Sequence, residues 1–169
     1  LLLLQAKHHT ARSLLEHRLE NKREGGFNPF PSAYNERLIE AAESLPEVDG
    51  DAAVQSGRTD LRHLPFVTID PHDAKDFDDA VCLVEANGRR TLWVGIADVA
   101  HYVRPGTTLD ASARNRATSV YLPHEVLPML PPKLADELCS LRAEVDRFSM
   151  VIAMHLNDAN EIESTEAYE

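Results

Sequence analysis

Apolar positions change rhythm along this chain. Up to about residue 46 they recur at helical spacing. "TARSLLEHRLENKREGG", residues 10–26, sets Leu14, Leu15 and Leu19 among good helix formers and stops at Gly25-Gly26, which predicts a first helix. In "SAYNERLIEAAESLP", residues 32–46, Tyr34, Leu38, Ala41, Ala42 and Leu45 fall on one face. Ser32 is the predicted N-cap of this second helix and Pro46 its terminator. "FNPFP" between the two is a rigid connector. Residues 47–59, "EVDGDAAVQSGRT", are polar, contain glycine and follow no period, so a boundary is expected there.

From residue 60 the texture is that of strands. "LPFVTID" is a short apolar run, and two β-rich runs in "AVCLVEANGRRTLWVGIADV" flank Asn87-Gly88, a strong hairpin signal. "TTLDASARNRATSV" predicts a helix capped by Thr107 or Thr108, with Leu109, Ala113, Ala117 and Val120 inward. "LPMLPPKLADELCSLR" reads as a proline-punctuated loop and a short helix. "RFSMVIAMHLNDANEIESTEAY" predicts a second hairpin turning at residues 157–160. Helices and strands mixed without a βαβ rhythm point to an α+β fold rather than a doubly wound sheet. The expected division is a helical N-terminal or linker region over residues 1–57 and an α+β region over residues 58–169.

Composition narrows the function. With 169 residues, 43% of them hydrophobic, the chain is long enough to bury a core. Its formal net charge of -11 argues against a coat protein that grips nucleic acid by a basic face, but leaves room for an enzyme that holds it through metal ions. Cys82 and Cys139 form neither a disulfide framework nor a metal-ligand pair and read as reduced, buried thiols of a cytoplasmic protein. "LLLL" is too short to span a membrane and no basic n-region precedes it, so no membrane partner is expected. The chain starts without Met and ends in "EIESTEAYE", which reads as a piece of a longer polypeptide.

The candidate chemistry lies in "TIDPHDAKDFDDAV", residues 68–81. Asp70 ends the "FVTID" run and Pro71 forces a turn; Asp73, Asp76, Asp78 and Asp79 follow before the next strand. Period-two alternation puts Asp76 and Asp78 on one side, and the turn can bring Asp70 back to them. Asp79 faces the other side unless the backbone bends. Gathered carboxylates stay ionised together only when a cation compensates them. Hard oxygen donors select Mg²⁺, Mn²⁺ or Ca²⁺, and the spacing does not fit a calcium loop of the EF-hand type. Two Mg²⁺ ions could serve in-line phosphoryl displacement. The alternative is a solvated acidic loop, with Lys75 the one cation among the five aspartates.

Three stretches taken together weigh on that choice. "DLRHLPFVTIDPHDAKDFDDAV", "WVGIADVAHYVRPGTTLDASARNRATSVYLP" and "PMLPPKLADELCSLR" resemble successive signatures of the RNB catalytic domain of the ribonuclease II family, from about Arg58 to about Met154. The resemblance covers the N-terminal portion of that domain; the first 57 residues are similar to an upstream linker. It implies a metal-dependent, hydrolytic 3′→5′ exoribonuclease that degrades single-stranded RNA processively to nucleoside 5′-monophosphates. The family's acidic motif falls on Asp70, Asp76, Asp78 and Asp79. By the resemblance, Asp70 and Asp79 hold Mg²⁺ (or Mn²⁺) directly and Asp76 assists. Asp78 holds a second ion or positions the attacking water. Asp73 lies outside the motif, as a loop or capping residue.

Tyr121 matches the family tyrosine that stacks on the terminal nucleotide. Tyr102, Arg104, Arg114 and Arg116 are candidates for contacts to backbone phosphates, with a solvated surface as the alternative for each. Asp98 is expected to anchor the loop behind the site, and His63, His72 and His101 are assigned no catalytic part. The implied partners are single-stranded RNA and the remainder of the same polypeptide: the C-terminal half of the RNB domain, with its phosphate-binding arginine, and oligonucleotide-binding-fold domains. A rival reading is a non-catalytic RNA-binding or regulatory relative with a structural metal site; a third is a phosphatase acting on small molecules.

Overall fold

The computed structural model describes residues 34–121 and 126–169. In chain order the elements are α1 (Glu36–Glu43), α2 (Gly50–Gln55), β1 (Asp79–Ala86), β2 (Arg89–Ala97), α3 (Val99–Tyr102), α4 (Thr108–Arg116), β3 (Val120–Tyr121) and β4 (Val126–Leu127). A π-helix at Lys133–Leu138, β5 (Ser149–Leu156) and β6 (Ile162–Tyr168) complete the series. The mixture of helices and antiparallel strands is the α+β class expected. The helix expected over residues 10–26, and the expected cap Ser32, lie outside the described residues.

The described residues fall into two units interleaved in sequence. One combines residues up to Ser44 with Arg104–Pro131; the other combines Leu45–Val103 with Pro132–Glu169. The first break therefore falls at Ser44, ahead of residues 47–59. Those residues are not an unstructured boundary: Asp49 caps α2, its carboxylate accepting from the Ala52 N–H at 3.0 Å. The pattern missed α2 because a six-residue helix with no buried residue has no apolar period to show.

In the first unit, α1 is capped by Asn35, whose side chain accepts from the Leu38 N–H, and it buries Leu38 and Ala42. Thr107 caps α4 in one of the two ways expected, and Leu109 and Ala113 point inward. Ala117 does not continue the helix. It adopts φ +62° as the C-cap, and Val120 is buried from β3 instead.

The second unit is built on one antiparallel sheet in the order β1-β2-β5-β6. Both expected hairpins are present. Asn87 (φ 53°) and Gly88 (φ 72°) form a two-residue turn of the type that requires positive φ at both positions and that matches strand twist. The register sets Ala80, Gly95 and Val151 side by side, then Cys82, Trp93 and Ala153, and this face carries the buried positions. Leu134, Leu138, Cys139 and Ser140 of the π-helix and its exit are buried as well. The run "LPFVTID" does not form a strand. Only Val67 pairs, bridging to Val81 through N–H···O bonds of 2.9 and 2.8 Å. Among the described residues no helix is long and apolar enough to cross a membrane.

Candidate functional site

The acidic motif is the lead-in to β1, and backbone geometry decides where its carboxylates go. The Val67–Val81 bridge is antiparallel, so the chain between them folds back on itself, and Asp70 comes near enough to Asp78 to act on its carboxyl. The Ala74 N–H closes the intervening turn on the Pro71 carbonyl at 3.0 Å. Successive side chains alternate across a strand. Asp78 therefore follows the buried side of Ala80 and Cys82, while Asp79 follows the side of Val81 and Leu83.

Four hydrogen bonds fix the chain beneath these carboxylates. The Asp78 carbonyl accepts from the Ala97 N–H at 2.9 Å, and the Phe77 carbonyl from the Leu141 N–H at 2.9 Å. The Ser140 hydroxyl accepts from the Phe77 N–H at 3.2 Å and donates to the Lys75 carbonyl at 2.6 Å. These bonds bracket Asp76 and Asp78.

Several acidic residues outside the motif are matched by basic side chains. Arg62 is bonded to Asp51, Asp60 and Asp146, Arg58 to Asp98 and Glu169, Arg114 to Asp110, and Lys133 to Glu47 and Glu137. Among the described residues, no hydrogen bond or ion pair engages the carboxylates of Asp70, Asp78 or Asp79. Asp78 shows the consequence. Its carboxyl is pushed above the ordinary aspartate range, first by desolvation, then by the carboxylates of Asp76, Asp79 and Asp70 in that order.

The four motif aspartates thus share one electrostatic site. They are not closed into a ligand shell: among the described residues no three His, Cys, Asp or Glu side chains form a group able to hold a metal ion. The reason is local, since Asp78 and Asp79 are consecutive residues at a strand start and leave the chain on opposite sides. The donor chemistry, all carboxylate, fits a hard divalent cation.

The other expected site residues divide by burial. Tyr121 is 61% exposed at the end of β3, and Arg104 and Arg114 are exposed, Arg114 paired with Asp110 at 2.9 Å. Tyr102 and Arg116 are corrected. Tyr102 is buried, its ring edge-on to His101 at 4.9 Å, and its hydroxyl has no hydrogen-bond partner among the described residues. Arg116 is buried, lies over the Tyr34 ring at 4.1 Å and donates to the Pro128 carbonyl at 3.2 Å. Both side chains are committed to packing among the described residues rather than presented on the surface. Asp98 does anchor the backbone behind the motif. It caps α3 by accepting from the His101 N–H, its own N–H binds the Phe148 carbonyl, and Arg58 pairs with its carboxylate at 2.5 Å.

Sequence reasoning missed Ser140 and Arg58. Ser140 lies 63 residues from Phe77 and Arg58 lies 40 from Asp98, so no local period marks either. The available signal was a small polar residue between the apolar Cys139 and Leu141.

The family model for the RNB domain matches residues 58–169. The chain belongs to the RNB-domain family. Ribonuclease R of Escherichia coli K12 is 48% identical over 141 residues, covering 83% of this chain and 17% of that protein. A solved structure of Mycoplasma genitalium RNase R in complex with ribose-methylated single-stranded RNA matches at TM-score 0.77 and 34% identity, over 83% of this chain and 22% of that one. Yeast Ssd1, a pseudonuclease, matches at TM-score 0.61 and 23% identity, over 73% of this chain and 15% of that one; this likeness is one of fold. The chain therefore spans about a fifth or less of these relatives.

Proposed function

We propose that this RNB chain carries the acidic part of the active site of a metal-dependent, processive 3′→5′ exoribonuclease that degrades single-stranded RNA in the cytoplasm. The observation that carries the reading is the charge balance of the motif. Several acidic residues elsewhere in the fold have arginine or lysine partners, whereas among the described residues Asp70, Asp78 and Asp79 have none, and Asp78 is pushed upward by desolvation and then by its acidic neighbours. An arrangement that costs electrostatic free energy is explained when a cation completes it.

In this reading Asp70 and Asp79 would hold Mg²⁺ or Mn²⁺ with Asp76 supporting them, and Asp78 would hold a second ion or accept a hydrogen bond from the attacking water and orient it. The bound ion supplies charge neutralisation at the phosphodiester and at the leaving 3′-oxygen. Tyr121, with most of its ring exposed, offers a face for stacking on a base without reading sequence. Arg104 and Arg114 are exposed cations that could meet backbone phosphates, Arg114 by exchanging its pairing with Asp110. The basic groove belongs to the rest of the polypeptide, including the C-terminal part of the RNB domain and oligonucleotide-binding flanks.

A non-catalytic relative is the competing reading. It is favoured by the fold shared with a pseudonuclease and by carboxylates that are not pre-closed. End-labelled single-stranded RNA incubated with the full-length protein and Mg²⁺, beside Asp78→Asn, separates the two. The proposal expects mononucleotide release that Asp78→Asn lowers by a factor of at least 10² while RNA binding persists. Wild-type protein that binds RNA and never shortens it establishes the non-catalytic reading. Hydrolysis of a free phosphomonoester without length-dependent binding would identify a phosphatase.

A further inference from the structure

We infer that Ser140 is a positioning residue for the acidic site: its buried hydroxyl sets the spacing of Asp76 and Asp78 and thereby the affinity of the motif for a divalent cation. The inference rests on the proposed metal-dependent reading and adds to it a residue outside the motif.

Four observations combine. Ser140 is completely buried, although a serine side chain gains little by leaving water unless its hydroxyl is bonded on both sides. It is so bonded, accepting from the Phe77 N–H at 3.2 Å and donating to the Lys75 carbonyl at 2.6 Å. Lys75 and Phe77 flank Asp76, and Phe77 also precedes Asp78, so one oxygen fixes the backbone on both sides of the first aspartate and on the near side of the second. The neighbouring Leu141 N–H adds the bond to the Phe77 carbonyl at 2.9 Å.

Ser140 is itself held from its own side. Its N–H donates to the Glu137 carbonyl at 3.2 Å at the exit of the π-helix, and its carbonyl accepts from the Arg147 side chain at 3.0 Å. A π-helical turn, an uncommon feature that concentrates near functional sites, presents this serine. The segment it braces, residues 75–78, lies outside any strand or helix, and only the Asp78 carbonyl is tied to β2, through the Ala97 N–H at 2.9 Å. Without the hydroxyl the Lys75 carbonyl and the half-buried Phe77 amide lose their shared partner, and the segment is free to shift toward water. Such a shift displaces the carboxylates of Asp76 and Asp78, which Ser140 does not touch. This is the logic by which groups beyond the direct ligands tune a metal site, with effects of roughly 10- to 100-fold on affinity.

The test compares Ser140→Ala and Ser140→Cys with wild type in the full-length protein. Mn²⁺ affinity is measured by calorimetry, and backbone hydrogen exchange of residues 75–79 is followed without metal. Ser140→Ala is expected to weaken Mn²⁺ binding by about tenfold or more and to speed exchange at Phe77 by a similar factor. Ser140→Cys, close in size with a weaker donor, is expected between the two. Leu134→Ala, which cuts the same buried cluster without touching the loop, controls for a general loss of stability: it is expected to lower the melting temperature and leave Mn²⁺ affinity within twofold. Wild-type Mn²⁺ affinity in Ser140→Ala overturns the inference. Equal losses of affinity in Ser140→Ala and Leu134→Ala also overturn it, because a packing role then suffices. Wild-type protein that binds no Mn²⁺ removes the metal reading and the inference with it, and is distinguished by the silence of wild type itself.

Discussion

Asp98 and Arg58 offer the most direct energetic check on how the site is supported. The Asp98 carboxylate is almost wholly buried, with 5% of its side chain exposed, and Arg58 approaches it at 2.5 Å with 16% exposed. The same carboxylate caps α3 through the His101 N–H at 3.0 Å, and the Arg58 guanidinium lies 4.4 Å from the Phe148 ring centre. Truncating Asp98 to Ala therefore removes a cap, for about 1 kcal/mol. It also leaves a guanidinium partly desolvated without its main partner; breaking a fully buried pair costs about 3–5 kcal/mol. Arg58 keeps a bond to the exposed Glu169 at 3.1 Å and some contact with water, so the second contribution falls to about 2 kcal/mol and the total to about 3 kcal/mol. Urea unfolding of wild type, Asp98→Ala, Arg58→Met and the double variant closes the cycle. The double variant is expected to be less destabilised than the sum of the singles by about 2 kcal/mol. A coupling below about 0.5 kcal/mol, the level of an ordinary surface pair, would refute the claim that this pair is an internal brace.

Two further outcomes follow from groups whose environments are unusual. Tyr102 has a buried hydroxyl without a partner, and desolvation pushes its pKa up to about 12. Tyr102→Phe is expected to hold or raise stability, by up to about 1 kcal/mol in a thermal melt, and to leave RNA affinity unchanged; a marked loss of RNA affinity would restore Tyr102 as a contact residue. Asp60 is held at about 2, below its usual 3.8, first by the Arg62 side-chain hydrogen bonds. A carboxylate lowered on folding stabilises the fold above its unfolded value and loses that contribution as pH falls through the folded one. Arg62→Gln is thus expected to melt below wild type at pH 6, with the difference closing between about pH 4 and pH 2 in an acid series of melts.

What the sequence disclosed was local. The Asn87-Gly88 turn was legible because the two residues most tolerant of positive φ stand between alternating apolar runs, and the structure gives both positive φ. Thr107 was legible as a cap because its hydroxyl needs only the N–H three residues on. The acidic motif was legible as a group of like charges in an apolar setting. What stayed hidden was set by partners distant in sequence. "LPFVTID" has the composition of a strand, yet only Val67 finds a partner. Arg116 and Tyr102 carry polar groups that suit RNA, and packing against Tyr34 in one unit and His101 in the other claims them. No period in the chain announces that Ser140 will reach Phe77.

The position of the motif at the start of a strand explains how one segment can tolerate so much negative charge and still be ordered. The bonds that hold residues 75–79 use main-chain atoms of the segment: the Lys75, Phe77 and Asp78 carbonyls and the Phe77 amide. Among the described residues no basic side chain neutralises Asp70, Asp78 or Asp79, as Arg62 and Arg58 do for acidic residues elsewhere. Order is therefore supplied by the sheet and by Ser140 and Leu141, and the carboxylates of Asp70, Asp78 and Asp79 remain available to whatever cation arrives. A guanidinium in the same place would order the loop equally well and would compete with that cation. Bracing through the backbone separates the two requirements, and it is the arrangement expected where the charge itself is wanted for binding.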